Sequence, residues 1–113
     1  MDRSQIIESI LAERERQERK WGKQHNTSFD QTLLNRVGGC GPERMSEEYE
    51  IPTEGRAKFL CEESFRKNQG TWSHILIEEI AEVIGTCNQD KEVTKVELIQ
   101  AAAVIFAWLE DLD

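Results

Sequence analysis

Apolar residues along this chain recur at helical spacing and nowhere alternate in the manner of a strand. Ile6, Ile7, Ile10 and Leu11 begin a line that Arg14, Gln17 and Trp21 continue. Glu13, Glu15, Arg16, Glu18, Arg19 and Lys20 cover the other side. This predicts a helix over 3–21, with Gly22 as its stop. Residues 22–52 hold no sustained period and are punctuated by Gly38, Gly39, Gly41, Pro42 and Pro52. They predict a long irregular loop, with Leu33, Leu34 and Val37 fitting one short helical turn; a loop of this length is either functional or partly mobile. Thr53 follows Pro52 as an N-cap, and Ala57, Phe59, Leu60, Cys61 and Phe65 anchor a helix that Asn68 and Gly70 end. Thr71 caps a further helix from Trp72 to about Cys87. Asn88 to Asp90 make a short turn, and a last helix runs from about Lys91 to Leu112. The fold class is all-α: one helical bundle domain with a long irregular loop after its first helix, no internal repeat and no low-complexity tract.

The last two helices carry the chemistry. Trp72, Leu76, Ile80, Val83, Ile84 and Cys87 form one broad stripe at about 100° per residue. Glu78, Glu79 and Glu82 share the opposite side. Like charges at this spacing repel, and no Lys or Arg lies between Gly70 and Asp90 to relieve them. Such a set is either an ordinary acidic surface or a cation site, and oxygen ligands in these numbers suit Mg²⁺ or Mn²⁺ rather than zinc. From Leu98 to Leu109 every residue except Gln100 is apolar. A helix apolar all round is buried on most sides, which in a chain this short calls for a second subunit. Glu97 and Gln100 stand one turn apart. The short turn makes the two helices antiparallel neighbours, bringing Glu82 and Glu97 to the same end of the pair. The pattern is E-E-x-x-E, fourteen intervening residues, then E-x-x-Q.

Composition narrows the partners. The 113 residues carry a formal charge of −8, a poor match for a nucleic-acid backbone, whose phosphates call for Lys and Arg. A small phosphorylated ligand is compatible with that charge if metal ions bridge it. No apolar run reaches the ~18–20 residues of a membrane span, and the first ten residues show no basic-then-apolar leader, so a cytoplasmic protein without a membrane partner is expected. Cys40, Cys61 and Cys87 show no C-x-x-C spacing and read as free thiols. Cys40, in Gly-Gly-Cys-Gly, has no base placed beside it in the sequence and reads as a structural or incidental thiol.

Glu78-Glu79-Ile80-Ala81-Glu82 followed by Glu97-Leu98-Ile99-Gln100 resembles the E-E-x-x-E … E-x-x-D signature of the MazG-like all-α nucleoside triphosphate pyrophosphohydrolases. The likeness is firmest over residues 71–112. The context 70–77, the tail 100–110 and the segment Glu18 to His25 look like a phage and actinobacterial branch of that family. Residues 27–52 match no family pattern, and Gln100 stands where the signature has Asp; its amide oxygen can ligate a hard cation but brings no charge. The resemblance implies a homodimer or homotetramer that uses Mg²⁺ to cleave a nucleoside triphosphate between the α and β phosphates, releasing a monophosphate and pyrophosphate. It assigns Glu78, Glu79, Glu82, Glu97 and Gln100 to the metal, with Glu79 and Glu82 as the catalytic pair and Glu79 a candidate to activate the attacking water. If phage-encoded, the protein would act in the host cytoplasm. Candidate substrate contacts are Lys20 and Lys23 for phosphates, Trp21 for stacking on a base, and Gln24 and His25 for hydrogen bonds. Against these stand a solvated helix end, a core tryptophan and an exposed loop. Trp72 and Trp108 read as core, and His74 as a charge-relieving neighbour of the carboxylates. The competing function is a non-catalytic oligomer that binds a nucleotide or a protein partner on the same scaffold.

Overall fold

The computed structural model describes residues 1–113 as six helices with no strand. These are α1 (Arg3–Trp21), α2 (Gln31–Leu34), α3 (Pro42–Glu48), α4 (Glu54–Arg66), α5 (Trp72–Ile84) and α6 (Lys91–Asp111). Each long helix starts on a side chain that satisfies a first-turn N–H. Asp2, Thr53, Thr71 and Asp90 accept from the backbone of Gln5, Arg56, His74 and Glu92. At α1 the arrangement is reciprocal, because Gln5 Oε1 accepts from the Asp2 N–H at 2.8 Å. Asn68 takes a left-handed φ of 59° to end the α4 turn. Gly70 then passes directly beneath the Phe65 ring, where any Cβ would collide with it.

Two boundaries differ from the sequence reading. Helix α5 stops at Ile84 rather than Cys87, because Gly85 disfavours continuation and the N–H groups of Thr86 and Cys87 turn back to the Val83 and Ile84 carbonyls. The 22–52 segment is not one irregular loop, since it contains α2 and α3. Asp30 starts α2 by accepting from the Thr32 N–H and hydroxyl, and Pro42 supplies the fixed φ that opens α3. These helices are too short to show a period. Phe29, Leu33 and Met45 find their apolar partner far along the chain at Cys87, with Leu34, Cys40 and Ile84 packed alongside. Val37 takes no part in a helical turn and is fully exposed.

Helices α5 and α6 form the central antiparallel pair. At one end the Trp72 indole N–H donates to Asp111 Oδ2 at 2.8 Å. At the other, the Thr86 and Thr94 hydroxyls meet at 2.7 Å in a buried hydrogen bond. Ala81 and Ala101 are almost wholly buried on these two helices, and small side chains there allow close approach of the axes. Helix α4 packs on α5 through the buried Ala57 and Cys61, α3 also meets α5, and α1 touches α6 through Ile6 and an Arg3–Glu110 ion pair. Trp72 and Trp108 are half-buried rather than core.

The result is a slab of 49 × 45 × 22 Å with a radius of gyration of 16.3 Å. A globular chain of this length has about 13 Å. Only 13 of the 113 residues are buried. Within the single chain α6 is not covered on most sides: Leu98, Ile99 and Ile105 stand exposed, Ile99 at 70%, as do Ile7, Ile10 and Leu11 on α1.

The Thr86–Thr94 pair yields a stability prediction. The Thr86 hydroxyl donates to the Val83 carbonyl at 2.7 Å, so it must accept from Thr94. Thr86→Val leaves the buried Thr94 donor without that acceptor and is expected to cost about 1–2 kcal/mol. Thr94→Val leaves the Thr86–Val83 bond intact and should cost less, with the double variant close to Thr94→Val alone. Chemical denaturation of the three variants reads the order directly.

Candidate metal centre

The α5–α6 packing determines which acidic residues meet. Glu79 and Glu82 lie three positions apart on α5, on the face turned toward α6, and Glu97 stands opposite on α6. One carboxylate oxygen from each of Glu79, Glu82 and Glu97 lies within 4.8 Å of the other two. Oxygens on opposite sides of one hard cation are separated by twice the metal–oxygen bond, about 4.0–4.2 Å for Mg²⁺ and up to about 5.2 Å for Ca²⁺. All three side chains are half-buried. Glu79 Oε2 and Glu97 Oε2 are shielded from solvent and have no hydrogen-bond partner. A buried carboxylate oxygen left unpaired costs free energy, and a cation removes that cost. The donor set therefore fits Mg²⁺ or Mn²⁺: all oxygen, all anionic, and without a Lys or Arg competing for it.

The electrostatics agree. Burial pushes the Glu82 carboxyl up to about 7, reinforced by the neighbouring charge of Glu79, a hydrogen bond to Glu97, and the charges of Glu97 and Glu78. Burial also raises Glu79, with the Glu97 and Glu78 charges adding to it and a hydrogen bond from Glu82 opposing it. Below about pH 7 the proton retained on Glu82 lessens the repulsion among these carboxylates.

The other sequence candidates are placed differently. Glu78 is half-buried near this cluster, but its carboxylate also faces the buried Cys61 thiol on α4. That thiol is raised to about 11 by burial first and then by its hydrogen bond to Glu78 and the nearby carboxylate charges. Glu78 thus stands on the α4 side of α5 and is not one of the three converging carboxylates. Gln100 is exposed on α6 one turn beyond Glu97. Lys20, Trp21, Lys23, Gln24 and His25 are all exposed at and beyond the end of α1. Trp21 is 62% exposed, so it is not a core residue, and the Lys20 ammonium sits 4.9 Å from its ring centre.

His74 does not serve the carboxylates. Its Nδ1 lies 2.7 Å from the Thr71 hydroxyl and its Nε2 3.0 Å from the Ser64 hydroxyl, while Ser64 donates to the Leu60 carbonyl at 2.7 Å. Ser64 must then accept from Nε2–H, and Nδ1 accepts from Thr71. The ring ties α4 to the start of α5. The sequence signal for this was Thr71 three residues before His74, the spacing of a helix cap; the distant partner Ser64 left no local trace.

No helix of the chain is long and apolar enough to cross a membrane. The chain matches no protein-family model, no curated protein and no solved structure.

Proposed function

We propose that the protein is a divalent-metal-dependent nucleoside triphosphate pyrophosphohydrolase, the activity implied by the MazG-like pattern at Glu78–Glu82 and Glu97–Gln100. The observation that carries this reading is the convergence of Glu79, Glu82 and Glu97 from two helices with two of their buried oxygens unpartnered. Glu79 and Glu97 would hold Mg²⁺ through those oxygens, with Glu82 completing the set and Glu78 and Gln100 at its margin. The bound ion supplies charge neutralisation for a triphosphate that a −8 chain would otherwise repel. Glu79 and Glu82 are the carboxylates placed beside such an ion, and Glu79 remains the candidate to accept a proton from the attacking water. Lys20, Lys23 and Trp21, exposed at and just beyond the end of α1, are the candidate side chains for phosphates and base.

Self-association belongs to the same proposal. The 22 Å slab and the apolar side chains left open on α1 and α6 are those of a subunit that completes its core against a copy of itself. A monomer by light scattering at micromolar concentration would remove this part of the reading.

The alternative, a non-catalytic nucleotide-binding oligomer, is favoured by one feature: Gln100 in place of the acid of the signature. Pyrophosphate release measured over a panel of standard and modified nucleoside triphosphates, with Mg²⁺ and with chelator, separates the two. The enzyme reading expects Mg²⁺-dependent pyrophosphate from at least one nucleotide. Binding of a triphosphate with no release across the panel would favour the binder.

A further inference from the structure

Two of the three cysteines, 47 positions apart in the chain, come together at the end of α5. Cys87 is 6% exposed and belongs to the apolar cluster with Phe29, Leu33 and Met45, and Cys40 is packed against that cluster from the segment between α2 and α3. Both thiols are free, and the Cys40 sulfur makes one weak contact, 3.5 Å to the Gly41 carbonyl. Cys40 is partly open to solvent, so a dissolved oxidant reaches it first. Its backbone is flanked by glycines. Gly38 and Gly39 precede it at φ 86° and 76°, and Gly41 follows, with open space around all three. The third thiol, Cys61, lies on α4 beside Glu78, away from the other two.

We infer that Cys40 and Cys87 form an oxidation site, closing an intramolecular disulfide that fastens the α2–α3 segment to the end of α5. The oxidant class is a small disulfide such as oxidised glutathione. The Cys40 thiolate attacks one of its sulfurs, breaking the S–S bond and releasing one thiol. The Cys87 thiolate then attacks the Cys40 sulfur of the mixed disulfide and releases the second thiol. Two protein thiols are oxidised, one small disulfide is reduced to two thiols, and two protons pass to those products. Burial and the neighbouring Cys40 raise the Cys87 thiol, so the second step is the slower one and accelerates with pH. The flanking glycines supply the backbone movement that disulfide geometry demands. Neither cysteine touches the glutamate cluster, and this proposal stands whether or not the chain hydrolyses nucleotides.

Trypsin places the three cysteines in separate peptides, 37–44, 59–66 and 68–91. The full-length protein is incubated with oxidised glutathione near pH 8, alkylated, and mapped without reduction. The expected result is a chain with no covalent link to another chain, with 37–44 linked to 68–91 and Cys61 alkylated. The bridge should also raise Tm by about 5 °C or more, since it closes a long loop of the unfolded chain. Cys87→Ser should stall at a mixed disulfide on Cys40, and Cys61→Ser should bridge as the wild type does. A link involving 59–66, a link between chains, or a wild-type protein that keeps glutathione on Cys40 without resolving it would overturn the proposal. The wild-type map decides the matter even if a variant fails to fold.

Discussion

Glu82→Gln is expected to lower pyrophosphate release by about 10²–10⁴-fold while making the metal-free protein more stable. Few other substitutions separate the two effects in opposite directions. Glutamine keeps the size of the side chain and much of its hydrogen bonding, but it can neither ligate as an anion nor accept the proton of an attacking water. It also removes one of the three carboxylates crowded within 4.8 Å. Above neutral pH the wild-type chain bears the repulsion that drives Glu82 up to about 7. Allowing for screening of a half-buried group, relief of that repulsion is worth about 1–2 kcal/mol, or a rise of roughly 5–10 °C in Tm. Glu79→Gln should behave similarly with a smaller gain in stability. Gln100→Asp places an acid one turn beyond Glu97 and is expected to strengthen metal binding, read by calorimetry. A Glu82→Gln protein that is both fully active and no more stable would show that these carboxylates are an ordinary acidic surface.

The second large effect is a reversal of pH dependence on adding metal. Glu82 titrates from its ordinary value of 4.5 in the unfolded chain and at about 7 in the folded one. Between those values the folded state binds more protons, so the contribution of Glu82 to metal-free stability is fully present below about pH 4.5 and is lost as pH rises through 7. Glu79, raised for the same reason, acts in the same direction. On the proposed reading a divalent ion would replace the proton on Glu82. Its affinity should therefore climb by up to about tenfold per pH unit below pH 7 for each proton displaced, then level off. Thermal unfolding at pH 5, 6, 7 and 8, with chelator and with millimolar Mg²⁺, should show Tm falling with pH without the ion and a Mg²⁺-induced increment that grows with pH. An increment equal at pH 5 and pH 8 would mean that the ion binds elsewhere.

How far the sequence disclosed this arrangement varies with the length of the signal. The long helices were legible for different reasons: α1 repeats its apolar period from Ile6 onward, α4 and α5 follow the capping residues Thr53 and Thr71, and α6 carries an almost unbroken apolar run after the short turn at Asn88 to Asp90. Helices α2 and α3 were not, since four and seven residues cannot display a period and their apolar partner Cys87 lies about forty residues beyond Met45. At the site, spacing was enough to bring Glu82 and Glu97 to the same end of an antiparallel pair. It did not separate Glu78 from Glu79. Consecutive residues sit about 100° apart on a helix, and that step turns Glu78 toward α4 and Cys61, a neighbour that only tertiary packing supplies. Leu98, Ile99 and Ile105 carry a core pattern yet stand exposed on α6, and Trp72 is held half out of the core by its indole N–H reaching Asp111.

The most direct test is a crystal grown or soaked with Mn²⁺ and measured at the manganese absorption edge, where anomalous density locates the ion independently of the protein model. An anomalous peak between α5 and α6, ligated by Glu79, Glu82 and Glu97 at about 2.1–2.3 Å, is the predicted result. A saturating soak that left those carboxylates free of manganese, each hydrogen-bonded to water or paired with a basic side chain, would contradict it.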